Sequence, residues 1–275
     1  MMFQLPAFVA LLLRHGSLTP RAPDYAQLRL QHLSGLEAYL PDGVKLNRHP
    51  GTSSNWRAFA AQLRAALRVQ GMYLLHPNEH LYYIRIPKSA STSLARTMLN
   101  ARFPGLGNLT STQINFLTDL WGKYSVENSV LKNAVGFTAV RHPLHRLVSV
   151  YRDFFEYPRE SFFIYHGYLF NLLPQHLSFE EFVKRISKIP APLLDPHLRP
   201  QHLLLKPYLQ VSEVKVFKLE QSDVLEEFLH THHLTFHHEN RSAEPYDYRQ
   251  YYTSVLEKIA LRVYEDDCRV FGYEH

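Results

Sequence analysis

The stretch LYYIRIPKSASTS, residues 81–93, decides the fold of this chain because it combines the signals of a strand, a loop and a helix start. Residues 81–86 are aromatic and β-branched, which is typical of a buried strand, and Pro87 ends strand pairing because it lacks an N–H group. Residues 91–102 have the apolar spacing of an amphipathic helix. We therefore predict a strand, a loop and a helix in that order.

The loop between this strand and helix has the composition of an anion-binding site. A helix N-terminus exposes unpaired N–H groups and a partial positive charge, so it holds phosphate or sulfate without a dedicated cluster of cations. Lys88 adds a full charge, Ala90 lets the main chain approach a ligand, and the hydroxyl residues add short donors. The candidate binding residues are Lys88, Ser89, Ala90, Ser91, Thr92 and Ser93. The same string also fits an ordinary helix that Ser91 caps beside a solvated lysine.

A second stretch, VGFTAVRHPLHRLVSVYRDFF at residues 135–155, repeats this arrangement. Residues 135–140 predict another buried strand, Arg141 follows at its carboxyl end, and Pro143 is well placed at the first position of a helix. In an open α/β sheet, ligands bind beyond the carboxyl ends of the strands, so Arg141 and the first loop should face one crevice. The planar guanidinium suits a second phosphate, which indicates a ligand that is phosphorylated at two places.

These motifs resemble those of the carbohydrate sulfotransferases that use 3′-phosphoadenosine 5′-phosphosulfate (PAPS), in particular the heparan sulfate 2-O- and chondroitin-type enzymes of sulfotransferase family 2. IPKSASTSL is similar to the family's 5′-phosphosulfate loop, and VRHPLHRLVSVYRDFF is similar to its 3′-phosphate motif. LDPHLRPQ at 194–201 and VYEDDCRVFGY at 263–273 resemble two further family segments. The resemblance covers residues 81 to about 273, and we identify no family motif in the first 80 residues.

The resemblance implies a role for each motif residue. Lys88 contacts the bridging oxygen of the leaving group, and residues 89–93 cradle the 5′ end of the donor. Arg141 and Ser149 bind the 3′-phosphate, and Arg241 lies where related enzymes use a basic loop to cover the nucleotide. PAPS is the implied donor co-substrate, and the scheme requires no metal.

Sulfuryl transfer to an alcohol also needs a base, and His197 in DPHLRPQ is the candidate that we favour, because an imidazole titrates near neutrality. In the alternative interpretation, His197 only fixes a turn. The other candidates for the base are Glu220, His166 and His176.

We predict one α/β domain with a P-loop-like, mainly parallel sheet and helices on both faces, the sulfotransferase fold. Residues 1–80 form an N-terminal lead-in packed on the sulfotransferase domain, residues 81–275. Within these parts we expect a helix over 55–70, a variable connection over 103–134 and an aromatic segment over 156–177. Later elements are a strand over 215–219, a helix over 223–230 capped by Ser222, and a closing helix over 253–271.

Composition sets wider limits. A net charge of +5 and a pI near 9.2 favour anionic ligands, and charge alone leaves nucleic acid, an acidic glycan and a nucleotide open. The single Cys268 excludes internal disulfides and is best explained as a packing residue. The apolar run at 5–13 is too short to span a bilayer, so we expect no integral membrane segment and a cytoplasmic or otherwise soluble protein. We interpret the cluster His232, His233, His237 and His238 as exposed loop residues, not a metal site.

The sequence therefore predicts a PAPS-dependent sulfotransferase whose partners are a nucleotide donor and a saccharide or other hydroxyl acceptor, not nucleic acid. Two alternatives stay open. One is a P-loop-like kinase or NTPase, although the glycines of GxxxxGK[ST] are absent. The other is a non-catalytic module that binds acidic glycans.

Overall fold

A four-stranded sheet forms the centre of the computed structural model. The structure describes residues 71–124, 126, 129–156, 172–174, 176–239 and 246–274. The strands are β1 (Met72–Leu75), β2 (Leu81–Arg85), β3 (Val135–Val140) and β4 (Val214–Lys218), in the spatial order β1-β2-β3-β4.

Strands β2, β3 and β4 run parallel, and only β1 is antiparallel to its neighbour. The register places Tyr83 opposite Phe137, and Val140 opposite Lys218. Since parallel strands end at the same edge of a sheet, the residues that follow β2, β3 and β4 meet there. Strand β1 lies within the segment 1–80, so the sheet begins before the predicted domain start. The predicted helix over 55–70 lies outside the described residues.

Helices surround the sheet and complete an α/β fold. Their bounds are α1 (Ser91–Arg102), α2 (Ser111–Trp121), α3 (Pro143–Tyr151), α4 (Phe179–Ile186), α5 (Gln201–Leu209), α6 (Ser222–Thr231) and α7 (Ser254–Phe271). A π-helical segment, Arg152–Glu156, continues α3, and short 3₁₀ turns cover Ser129–Asn133, Ala191–Leu193, Leu219–Gln221 and Tyr248–Tyr251. Of the aromatic segment predicted over 156–177, residues 157–171 lie outside the described residues.

Both faces of β1, β2 and β3 are buried, whereas Lys215 and Val216 of the edge strand β4 are exposed. Side chains alternate along β2, so that Leu81 and Tyr83 pack against one layer while Tyr82 and Ile84 pack against the other. The first layer comes from α1, α2 and α6, and the second comes mainly from α5. A further cluster joins α3, the π-helical segment, α4 and α7. These contacts confirm the mainly parallel α/β fold with helices on both faces.

The variable connection over 103–134 contains helix α2, which starts with a capping box between Thr110 and Gln113. The threonine and glutamine three residues apart were the sequence signal for this helix. The prediction that Ser222 caps α6 was wrong. Ser222 is the first helical residue of α6, and Gln221 occupies the cap position without a side-chain hydrogen bond.

The closing helix α7 agrees with its predicted range, and the Thr253 side chain caps it. Cys268 is wholly buried in this helix, and burial raises the pKa of its thiol to about 11, so it serves as a packing residue. No helix in the described part of the chain is long and apolar enough to cross a membrane.

Candidate active site

The loop between β2 and α1 has the backbone geometry of an anion site. Lys88 and Ala90 both adopt left-handed conformations, with φ values of 68° and 53°. Left-handed residues can turn successive N–H groups towards one concave surface. For residues other than glycine this conformation costs free energy, and such strained residues occur mostly at functional sites. Ala90 is the N-cap of α1 and makes no side-chain cap, so the interpretation in which Ser91 caps the helix is wrong.

The hydroxyl groups of this loop divide into two sets. Ser89 is 0% exposed, and its Oγ donates to Oε1 of Gln201 at 3.1 Å. Ser93 is 3% exposed, and its Oγ accepts from the Glu239 N–H at 2.9 Å. These two hydroxyls therefore hold the loop in place, while Ser91 and Thr92 are half-buried at its surface.

Lys88 is held by a carboxylate that the sequence analysis did not identify. Its ammonium forms an ion pair with Asp153 of the π-helical segment, and it lies 4.8 Å from the ring centroid of Phe154. The two charged side chains are 17% and 22% exposed, so water screens their interaction only in part. Asp153 follows Ser149 by four residues in a predicted helix, so helical spacing alone would have placed the two side chains on the same side of that helix. This spacing was the sequence signal for Asp153.

His197 packs against the same aromatic ring, with ring centroids 5.1 Å apart. Its Nδ1 lies 2.7 Å from Asp195 Oδ1, which also accepts the His197 backbone N–H at 2.9 Å. Since an ionised carboxylate can only accept, Nδ1 carries the proton and Nε2 is the basic nitrogen of a neutral ring. The structure thus brings Lys88 and His197 together around Phe154.

We expect His197 to be neutral at pH 7. Burial lowers its pKa below the usual 6.5, and the neighbouring Asp195 partly opposes that shift by favouring the imidazolium. Replacing Asp195 with asparagine should therefore lower the pKa of His197 further. NMR titration of the imidazole resonances, assigned with a His197→Gln variant, measures both values. A pKa of 6.5 or above in the wild type would contradict the prediction.

The lowered pKa also has a consequence for stability. The folded protein binds a proton at His197 less readily than the unfolded chain does, so this residue makes folding less favourable as the pH falls below 6.5.

Arg141 follows β3 at the same edge of the sheet, next to the Lys88 loop. It is half-buried, and burial lowers its pKa below the usual value for arginine. One of its Nη atoms contacts Nε2 of His145, and burial together with the Arg141 charge lowers the pKa of His145 to about 3. His145 is therefore neutral and accepts a hydrogen bond from the guanidinium.

Ser149 lies on α3 four residues after His145, and this spacing places the two side chains on one side of the helix. Arg141 precedes the helix and contacts His145. Ser149 is half-buried there. Arg241, the remaining candidate nucleotide contact, lies outside the described residues.

A cavity of about 600 Å³ opens beside Arg141, at the carboxyl ends of β3 and β4. Glu220 bridges its wall, because its carboxylate accepts from the His142 N–H at 2.7 Å and from the Tyr273 hydroxyl at 3.0 Å. His145 stacks on Tyr248 in the same wall, with ring centroids 4.8 Å apart. The cavity therefore combines aromatic faces with polar groups, as ligand pockets commonly do.

The other candidates for a base lie elsewhere or are already engaged. The Glu220 carboxylate is bound within the cavity wall, and His176 is exposed in the turn before α4. His166 lies outside the described residues. Among the candidates that can be placed, only His197 shares an aromatic neighbour with Lys88.

The histidine cluster after α6 is a surface feature. His232, His233 and His238 are exposed, and His237 lies 2.9 Å from the Asn100 side chain. No group of three or more histidine, cysteine or carboxylate side chains in the described ranges is arranged to hold a metal ion.

Comparison with known proteins gave one match. A family model described as "Sulfotransferase family" matches residues 72–274, which include β1, the loops after β2 and β3, and α7. The matched range is about three quarters of the chain. No curated protein and no solved structure matches the chain.

Proposed function

The chain belongs to the sulfotransferase family, and from that premise we propose that it transfers a sulfuryl group from PAPS to a hydroxyl of a carbohydrate acceptor. The observation that carries the proposal is a pair of loops that follow the neighbouring parallel strands β2 and β3 and that each present a basic residue. One contains Lys88 at a helix N-terminus, and the other begins with Arg141. A donor with phosphate groups at both its 5′ and 3′ ends fits two such loops.

In this proposal the Lys88 loop binds the 5′-phosphosulfate. The first-turn amides of Ser91, Thr92 and Ser93 have no acceptor within α1, so they offer N–H groups to the anion. Arg141 and Ser149 bind the 3′-phosphate. The nucleoside then extends into the cavity beside Arg141, where the stacked rings of His145 and Tyr248 offer an aromatic surface.

The reaction is an in-line displacement at sulfur. The bond from sulfur to the phosphate oxygen breaks, a bond from sulfur to the acceptor oxygen forms, and the acceptor proton passes to a base. Lys88 neutralises the charge that develops on the departing phosphate oxygen. The basic Nε2 of His197 takes the proton, because the imidazole is neutral at working pH and lies against the same ring as Lys88.

Asp153 supports Lys88 in this scheme. A lysine ammonium on a flexible stem loses conformational freedom when it must point at one oxygen. The ion pair with Asp153 and the ring of Phe154 restrict that freedom before the donor binds. We therefore assign Asp153 a positioning role.

The two alternative functions explain less of the site. A P-loop kinase has the glycines of GxxxxGK[ST] in its phosphate loop. This loop contains no glycine, and its left-handed positions are occupied by Lys88 and Ala90. A glycan-binding module accounts for the positive charge, but it does not account for a lysine, a carboxylate and a neutral histidine around one buried ring.

Calorimetric titration with 3′-phosphoadenosine 5′-phosphate (PAP) tests the proposal, with ATP and 5′-AMP as controls. We expect PAP to bind more tightly than either control, because only PAP carries a 3′-phosphate. Incubation with PAPS and a panel of glycans, followed by mass spectrometry, should then show an acceptor gain of one sulfate. Equal binding of ATP and PAP would overturn the proposed donor and favour the kinase-like alternative.

A further inference from the structure

One buried side chain joins the two anion-binding loops. Gln201, the first residue of α5, is 0% exposed. Its Oε1 accepts from the Ser89 hydroxyl at 3.1 Å and from the Arg141 N–H at 3.0 Å. Its Nε2 donates to the Arg141 carbonyl at 2.8 Å. A single amide is therefore bonded both to the loop after β2 and to the loop after β3.

These partners define the orientation of the amide. The Arg141 N–H can only donate and its carbonyl can only accept, so Oε1 and Nε2 cannot be exchanged. Both acceptor positions of Oε1 are occupied, by Ser89 and by Arg141. A glutamate ion lacks the donor and a methionine lacks both functions, so neither can replace the glutamine.

The backbone of Gln201 is fixed as firmly as its side chain. Its N–H donates to Asp267 Oδ2 at 2.7 Å, and the N–H of His202 donates to Asp267 Oδ1 at 2.8 Å. Asp267 is 0% exposed and comes from α7. A carboxylate at this position satisfies two unpaired amides and complements the partial charge of the α5 N-terminus. Gln201 therefore cannot move without breaking this cap.

Arg146 also stabilises this region through buried hydrogen bonds. It is 2% exposed, and its guanidinium donates to the carbonyls of Pro87 at 2.9 Å, Arg199 at 2.9 Å and Pro196 at 2.7 Å. Pro87 directly precedes Lys88, and the other two carbonyls belong to the segment that leads into Gln201. Buried hydrogen bonds therefore set the distance between the Lys88 loop and the Arg141 loop.

We propose that Gln201 is a positioning residue that sets the separation between the Lys88 loop and Arg141. This inference rests on the proposed function, in which the two loops bind the two ends of one donor. A site with fixed spacing binds a two-ended ligand without the cost of ordering the loops relative to each other. A ligand with a single phosphate uses one loop only, so it gains little from the fixed spacing.

The test compares a Gln201→Met variant with wild type for three ligands, PAP, 5′-AMP and 3′-AMP. Methionine keeps the side-chain volume and removes all three hydrogen bonds. We expect the affinity for PAP to fall by about 30-fold, which corresponds to the loss of two or so net hydrogen bonds. The affinities for 5′-AMP and 3′-AMP should stay within about threefold. Gln210→Met, at the exposed end of the same helix, is the matched control and should change none of the three.

A selective loss of PAP affinity supports the inference, because a merely structural role would weaken all three ligands alike. A uniform loss, or no loss, would overturn it. Should Gln201→Met fail to fold, Ser89→Ala removes only the bond to the Lys88 loop, and a selective loss of about three- to tenfold is then expected. If wild type binds PAP no more tightly than 5′-AMP, the proposed donor site itself is overturned, a result distinct from the failure of Gln201 alone.

Discussion

Replacing Lys88 with methionine is expected to lower kcat by about 10²- to 10³-fold, the usual effect of removing one group that stabilises charge in a transition state. The affinity for PAP should fall by about tenfold at most, because the amides at the start of α1 still bind the 5′-phosphate. The physical reason is that charge on the bridging oxygen develops only as the bond to sulfur breaks. Single-turnover kinetics and calorimetric titration with PAP measure the two quantities separately.

Two further variants sharpen this test. Lys88→Arg keeps the charge but not the compact ammonium, so it should retain more activity than Lys88→Met and less than wild type. Lys184→Met removes a lysine that is exposed on α4 and should leave kcat unchanged. A small, salt-dependent affinity loss in Lys88→Met, with unchanged turnover, would instead favour the glycan-binding alternative.

Replacing Arg141 with alanine is expected to weaken PAP binding by 10²-fold or more. A guanidinium that binds a phosphate makes charge-assisted hydrogen bonds of about 1.5–3 kcal/mol each. A free-energy difference of about 1.4 kcal/mol corresponds to a tenfold difference in affinity. The affinity for 5′-AMP should change by less than about threefold, since that ligand lacks the 3′-phosphate. The backbone of Arg141 stays bonded to Gln201, so the variant removes the charge without removing the scaffold.

The controls for Arg141 are a conservative variant and a remote one. Arg141→Lys should recover only part of the affinity, because an ammonium cannot form two parallel bonds to a phosphate. Arg262→Ala, on the exposed side of α7, should bind PAP as wild type does. Equal weakening of PAP and 5′-AMP by Arg141→Ala would show that Arg141 does not recognise the 3′-phosphate.

The parts of the fold that the sequence predicted are those encoded by neighbouring residues. A strand, Pro87 and a helix follow one another within residues 81–102, and Arg141 with Pro143 marks the second such unit. Periodicity and helix-start signals operate over this range, so contiguous residues suffice to place them. The positions of Lys88 and Arg141 at one sheet edge follow once the strands are parallel.

The parts that were missed depend on contacts between distant residues. Asp153 meets Lys88 across 65 residues, and Gln201 meets Ser89 across 112. No local pattern marks a glutamine as the partner of a serine so far away. The loop conformation was missed for a different reason: Ala90 adopts a left-handed cap that its own preference disfavours, so tertiary contacts must hold it there.

The hydrogen bonds at Gln201 also bear on the order in which the chain folds. They join segments that are separated by 112, 60 and 66 residues, and such distant pairings form only after long loops have closed. The donor-binding loops therefore cannot acquire their final spacing in an early, locally structured intermediate. Nucleotide binding during refolding should appear late, together with the burial of α7, and would report completion of the native domain rather than formation of its sheet.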